Sequence, residues 1–294
     1  MQLHLPNTCR LAFITLLGVL QASATLYEGF HMPAGSGKGL GATDKTPSGS
    51  NSCGWHSSWQ VSNGKAEATG EDLSIPGLLS ETGAVLIKGE RKERAIGQGI
   101  AIRQINIGFE GHTYGSYRFR SGNLIQDSVL GLLLSIPSNE PISPRSATFA
   151  ICPKRWGSSL GMLGAGKNKI TKNQSGIESY PEETYLVLWK MENLPPIGKR
   201  SNIRVKMWVL NSQQAAYYAR QGFNESVLDQ AGEGNDPSQV SQAIETSVRN
   251  SKRGIFRGML VSCFSVGVPR VCFDEIRLSQ VSLDAAAGRI PTKN

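Results

Sequence analysis

No apolar run in this sequence reaches eighteen residues, so no ordinary membrane-spanning helix is expected. Charge is sparse. Asp, Glu, Lys and Arg make up 18% of the chain, against 39% hydrophobic residues, which excludes a disordered, charge-rich polymer. The 33 glycines show no three-residue period, so the chain is not collagen-like. No Cys-x-x-Cys spacing occurs, which removes the common structural zinc sites. At 294 residues the length suits one large all-β domain or two small ones. Either can bury a sizeable core without metals or disulfides.

The first residues read as a leader. Arg10 is the only Lys or Arg before residue 38, Leu11 to Leu20 is a short apolar run, and Ala22-Ser23-Ala24 offers small residues to a signal peptidase. The expected division is a signal peptide over 1–24, cleaved after Ala24, one domain over 25–284, and a short tail over 285–294. The protein is therefore expected to be secreted, periplasmic or displayed at the cell surface. A buried N-terminal helix is the alternative.

Removal of the leader takes Cys9 with it. Cys53, Cys152, Cys263 and Cys272 remain, an even number for an oxidising compartment. The best pair is Cys263 with Cys272, because Gly267 and Pro269 between them can form a hairpin; Cys53 with Cys152 follows by elimination. Four buried thiols are the competing reading. The formal charge is +8, but the basic residues are dispersed and no tract resembles a nucleic-acid-binding arm. Nucleic acid is not an expected partner. A patternless solvated surface is preferred over weak attraction to an anionic polysaccharide.

The rest of the chain reads as short strands punctuated by Gly, Pro, Ser and Asn. Candidates are Leu26–Phe30, Ala84–Lys88, Gly99–Ile105, Ser116–Arg120, Ser128–Ile136, Ala147–Cys152, Thr184–Met191, Ile203–Leu210, Ile255–Cys263 and Val271–Ser279. Several alternate with period two. Tyr117 and Phe119 oppose Arg118 and Arg120, while Val205, Met207 and Val209 oppose Arg204, Lys206, Trp208 and Leu210. This pattern predicts an all-β two-sheet sandwich. Helix is expected only in an insertion at about 212–251, where Ser238 would cap a helix carrying Val240, Ile244 and Val248. Pro33–Ser52 and Ala165–Pro181 read as long loops.

The ends of the chain are the most distinctive. Near the start stand Leu26-Tyr27-Glu28-Gly29-Phe30 and Cys53-Gly54-Trp55-His56-Ser57-Ser58-Trp59, and near the end Cys272-Phe273-Asp274-Glu275-Ile276-Arg277-Leu278-Ser279. This combination resembles exported bacterial proteins of the concanavalin A-like lectin/glucanase superfamily, in particular the laminin-G-like set of planctomycetes and verrucomicrobia. Thr184–Met191 and Ile203–Asn211 resemble two further strands of that set, with Ser212 where proline is usual. The resemblance implies a concanavalin A-like jelly roll with its first and last strands side by side. It says little about activity. No sorting tail with a membrane helix is expected.

By phase, Glu28 falls with Leu26 and Phe30, and Asp274 with Ile276 and Leu278, so both carboxylates are expected to point toward the apolar side. A buried charge needs compensation. The two would share a structural Ca2+, whose oxygen shell is flexible; ion pairs with arginine are the alternative.

Hydrolases of the superfamily carry a Glu-x-Asp-x-x-Glu strand, which sets carboxylates on one face at the separation that retaining chemistry needs. It is absent here. Glu178, Glu182 and Glu183 cluster around Pro181, and Glu71 and Asp72 are adjacent. No nucleophile elbow is expected, and His56, between Trp55 and Ser57, reads as a packed loop histidine. Gly35-Ser36-Gly37-Lys38-Gly39 lacks the spacing of a phosphate loop. Aromatic residues can instead stack on sugar rings. Trp208, with Arg118, Arg120 and Lys206, forms the candidate glycan cleft if their face is the concave one; core packing is the alternative for the tryptophan. The function expected is a non-catalytic module binding polysaccharide or a cell-surface glycan. A divergent glycoside hydrolase or polysaccharide lyase, and a structural envelope protein with no ligand, are the alternatives.

Overall fold

A computed structural model describes residues 26–30, 59–63, 65–81, 83–88, 98–105, 112–122, 129–135, 149–156, 159–163, 173–178, 181–197, 200–229, 244–250, 260–266, 268 and 270–291. Two antiparallel sheets face each other. The first contains β1 (Leu26–Glu28), β3 (Lys65–Thr69), β4 (Ala84–Lys88), β6 (His112–Ser121), β11 (Thr184–Ile197), β12 (Arg200–Asn211), β13 (Ile244–Asn250) and β15 (Arg270–Ser279). Its order is β13-β12-β11-β6-β15-β4-β3, with β1 also paired to β15. The second contains β2 (Gln60–Asn63), β5 (Gln98–Gln104), β7 (Val129–Ser135), β8 (Phe149–Trp156), β9 (Ser159–Leu163), β10 (Asn173–Glu178) and β14 (Leu260–Val266), in the order β10-β9-β8-β7-β14-β5-β2. This is a two-sheet jelly-roll sandwich. The first and last strands lie side by side, with Leu26 opposite Leu278 and Glu28 opposite Ile276.

The alternation read from the sequence builds the core. Tyr117, Phe119, Tyr185, Val187, Trp189, Val205, Met207 and Val209 point between the sheets and meet Leu130, Leu132, Leu134, Val261 and Cys263 from the opposite layer. Gly115 gives the Trp189 indole its seat, since a methyl group there would overlap the ring.

The outer face of the first sheet is not bare. Asn211 ends β12 and caps α1 (Ser212–Gln221). Its side chain accepts from the Gln214 amide at 2.9 Å, and the Gln214 side chain accepts from the Asn211 amide at 3.0 Å. The helix then lays Ala215, Tyr218 and Ala219 on Leu186, Leu188, Trp208 and Leu210, forming a second apolar cluster. Gly222, at φ 99°, turns the chain into α2 (Glu225–Leu228). After β15, α3 (Leu283–Ala287) closes the same layer, with Leu283 and Ala287 in that cluster.

Four sequence expectations change. The insertion is partly helical, but the helices lie at its start. Val240 is outside the described residues, while Ile244 and Val248 stand in β13, paired with Met207 and Ile203 of β12. A four-residue spacing is in phase on a strand as well as on a helix, and β-branched residues beside an open strand edge favour the sheet. The expected tail from 285 is part of the fold, because Ala286 and Ala287 are buried. The loop expected over 165–181 contains β10. Finally, Cys263 and Cys272 are not paired: they sit in strands of different sheets, and both thiols are buried and free. Cys152 is also free and buried, its thiol donating to the Leu132 carbonyl at 3.7 Å; Cys53 lies outside the described residues.

One buried ion pair joins the layers. Glu28 of β1, fully buried, pairs with Arg103 of β5 and also accepts from the Trp59 indole and the Phe30 amide, each at 3.2 Å. Burial raises the Glu28 pKa and lowers that of Arg103, so each charge depends on the other. Arg103→Met strands the carboxylate and is expected to cost about 3–5 kcal/mol in denaturant unfolding, most of it recovered in the Glu28→Gln, Arg103→Met double variant. In a thiol-reagent titration, Cys152, Cys263 and Cys272 should react only after unfolding.

Candidate functional site

The outer face of the first sheet is ordered in rungs. His112, Glu192 and Arg204 are register neighbours across β6, β11 and β12; Tyr114, Lys190 and Lys206 form the next rung, and Ser116, Leu188 and Trp208 the one after. The apolar rungs lie under the helices. The two polar rungs lie beyond them, where the sheet meets an open cleft of about 390 Å³. Tyr114 forms its floor at the sheet. Gln221, Phe223, Asn224 and Glu225 wall one side, and Ser282, Leu283, Asp284 and Arg289 the other.

Each wall is fastened by charge. Glu225 receives Lys190 at 2.6 Å and Lys206 at 2.9 Å, and Lys206 also reaches Asp229 at 2.7 Å. Burial pushes the Glu225 pKa up, but the bonds and charges of the two lysines outweigh it and hold the carboxylate below its usual range. Burial opposes the charge of Lys206, yet its two acidic partners raise it above the ordinary ammonium value. On the far wall Asp284 accepts from the Phe223 amide at 2.7 Å and from Arg289 at 3.1 Å. Arg289 also donates to the carbonyls of Ala219 and Arg220.

The residues proposed from the sequence do not meet at this cleft. Trp208 is on the expected face but fully buried beneath the helices, with its indole N–H donating to Asp229 at 3.1 Å. Lys206 lies one rung away from it. Arg120 lies opposite Thr184, six residues along β11 from the Lys206 rung, roughly 20 Å at 3.3 Å per residue. Its guanidinium binds the Thr184 hydroxyl and the Asp72 carbonyl. Arg118 is buried and holds the 73–80 segment, donating to the carbonyls of Leu73 and Leu79 and to Ser80. One sheet face is simply too long for a shared face to mean a shared site.

Glu28 and Asp274 do not converge either. Between Asp274 and Arg277, three steps of β15 match the two steps of β6 from Arg118 to Ser116, so Glu275 is the extra residue of a bulge, at φ 53°. Phe273 and Ile276 both face the core, while Asp274 turns to the other side of the sheet, beside Arg118. Glu28 points between the sheets and is neutralised by Arg103. Among the described residues no group of three His, Cys, Asp or Glu is placed to hold a metal ion.

A buried polar cluster occupies the bulge. Glu275 accepts from Tyr27 at 3.1 Å, from the Glu81 amide at 2.8 Å and from Arg277, whose guanidinium lies 4.1 Å from the Tyr27 ring centre. Asp274 accepts the Glu275 amide through Oδ1, and its Oδ2 has no hydrogen-bond partner among the described residues. Tyr27, Glu28, Trp59, Glu275 and Arg277 of the distinctive end segments are thus fasteners of the fold.

Sequence reasoning missed the cleft. Tyr114 preceded the predicted strand by two residues, and Asn224, which caps α2, fell inside the expected insertion with no role assigned to it. The run Gly157-Ser158-Ser159-Leu160-Gly161 does have the residue spacing of a nucleophile elbow. It joins β8 to β9, two antiparallel strands, where an elbow needs a strand-to-helix turn.

No family model matches the chain, and no curated protein matches it. Several solved structures are similar to the chain at low identity. An alginate lyase Aly36B variant in complex with alginate tetrasaccharide is 10% identical, with TM-score 0.46, over 89% of this chain and 98% of its own. The PL-14 alginate lyase from Aplysia kurodai is 12% identical, with TM-score 0.41, over 72% and 88%. The Emp47p carbohydrate recognition domain is 9% identical, with TM-score 0.36, over 75% and 87%. Likenesses this distant decide neither ligand nor activity.

Burial, then the neighbouring Glu275 charge, push the Asp274 carboxyl well above its usual 3.8, against the pull of Arg118. The folded chain therefore binds a proton that the unfolded chain has already released. Stability from this group is greatest below about 3.8 and falls as pH rises toward the folded pKa. Asp274→Asn should flatten that decline in denaturant midpoints measured across pH, and raise stability at neutral pH.

Proposed function

We propose that this protein is an exported, non-catalytic module that binds polysaccharide in the cleft beside Tyr114. The observation that carries the reading is the cleft itself. It has the size of a small-ligand site, one aromatic ring at its floor, amide and carboxylate groups on one wall, and hydroxyl and carboxylate groups on the other. That is the chemistry a sugar ring needs: a face to stack on and partners for its hydroxyls. The exposed apolar side chains Val227, Val281 and Ile290 each lie within two residues of a wall residue, which suits the C–H faces of a longer chain.

The acids of the cleft support binding over chemistry. A glycosidase needs one carboxyl that keeps its proton. Glu225 is held ionised by two lysines, and both oxygens of Asp284 already hold the walls. Export rests on the 1–24 leader, and a laminin-G-like assignment on the Tyr27–Phe30 and Phe273–Arg277 motifs. A ligand-free structural role is the second reading. It is favoured by α1, which covers with the chain's own residues the Trp208 face expected to stack on sugar.

A glycan array with the purified protein is the test. Saturable binding that drops at least about tenfold in Tyr114→Ala, with an unchanged melting curve, supports the reading. Binding to no glycan puts the structural role ahead, and release of cleaved or unsaturated oligosaccharides would replace the binding module with an enzyme.

A further inference from the structure

We infer that the Tyr114 cleft selects an uncharged, hydroxyl-rich saccharide and rejects uronate and sulfated polymers. The inference rests on the binding reading above and names its ligand class. Recognition of a polyanion requires cations whose charge is still available. Of the described cations around this cleft, all but Arg220, the exposed neighbour of Gln221, are already matched. Lys190 is held by Glu225, Lys206 by Glu225 and Asp229, Arg289 by Asp284 at 3.1 Å, and Arg204 by Glu192 at 3.6 Å. His112 lies 3.3 Å from the same Glu192. The four carboxylates balance the two lysines and two arginines, so these eight groups sum to zero although the whole chain carries +8.

An incoming carboxylate or sulfate would have to displace Glu225 or Asp284 and then remain beside the displaced charge. Displacing Asp284 also releases the Phe223 amide and frees Arg289, which ties α1 to the far wall. A neutral hydroxyl asks for none of this. It can donate to a carboxylate and accept from an ammonium without breaking the pair. The two properties, a neutral cleft and a basic exterior, therefore predict two separable kinds of binding.

Purified protein is titrated onto neutral polysaccharides (β-glucan, xylan, galactomannan) and anionic ones (alginate, pectate, chondroitin sulfate), at low and physiological salt. Neutral binding should change less than about twofold with salt. It should fall at least about tenfold in Tyr114→Ala and in Gln221→Trp, which fills the cleft from an exposed lip position, and persist in Tyr114→Phe. Any anionic binding should weaken steeply with salt and ignore all three substitutions, as expected of the dispersed basic surface. Anionic binding that survives physiological salt and is lost in Tyr114→Ala overturns the neutral class while keeping the cleft. Neutral binding indifferent to both cleft variants overturns the location. Binding of neither class overturns the inference together with the reading it rests on.

Discussion

The fold depends on one extra residue in its last strand. At Glu275 the ladder between β15 and β6 slips by a position, and the strand resumes with opposite phase. Without that slip, keeping Ile276 in the core would turn Asp274 into the apolar interior and Phe273 away from it. With it, Phe273 and Ile276 both serve the core, and three charged residues gather on the outer side. The bulge also marks where β15 exchanges neighbours: residues 270–273 pair with β4, and 276–278 pair with β1. Two short strands thus share one edge, and Glu275 binds Tyr27 on one side of the gap and the Glu81 amide on the other.

The same economy of polar contacts shapes the outer layer. Helix α1 is amphipathic only enough to cover four side chains of β11 and β12, so the polar end of that face stays uncovered. The segment after Gly222 is fixed there by carboxylates that meet the sheet's lysines. The cleft exists because the apolar cover ends two polar rungs short, while the strands run on beyond it. Its charge neutrality follows from the same cause, since the acids that anchor the cover neutralise the bases that lie beyond it.

Much of this architecture was legible beforehand. Ten strands lie within a few residues of their expected positions, because a strand buried on one face writes its alternation into the sequence. Tyr117 and Phe119 against Arg118 and Arg120 are an example. The bulge was not legible: period-two reading assumes an unbroken strand, so it placed Asp274 on the wrong side. Helix α1 carried a signal that was passed over, Asn211-x-x-Gln214 followed by Ala215, Tyr218 and Ala219. Ile244 and Val248 were misassigned because their spacing fits both periods, and only the open edge of β12 decides between them. The cleft is assembled from residues 114, 221–225 and 282–289, remote in sequence, and no local pattern announces it.

The position of β15 has a consequence for how the molecule comes into being. It lies in the interior of the first sheet, between β6 and the β4 and β1 pair, yet among the sheet's described strands it is the last in chain order. Until residue 279 has emerged, β6 lacks a partner along one edge and β1 has nowhere to dock. The sheet cannot close progressively as the chain lengthens; it must wait for its final strand, and most of its contacts span long separations in sequence. Assembly of this sheet is therefore a late event that follows its central strand.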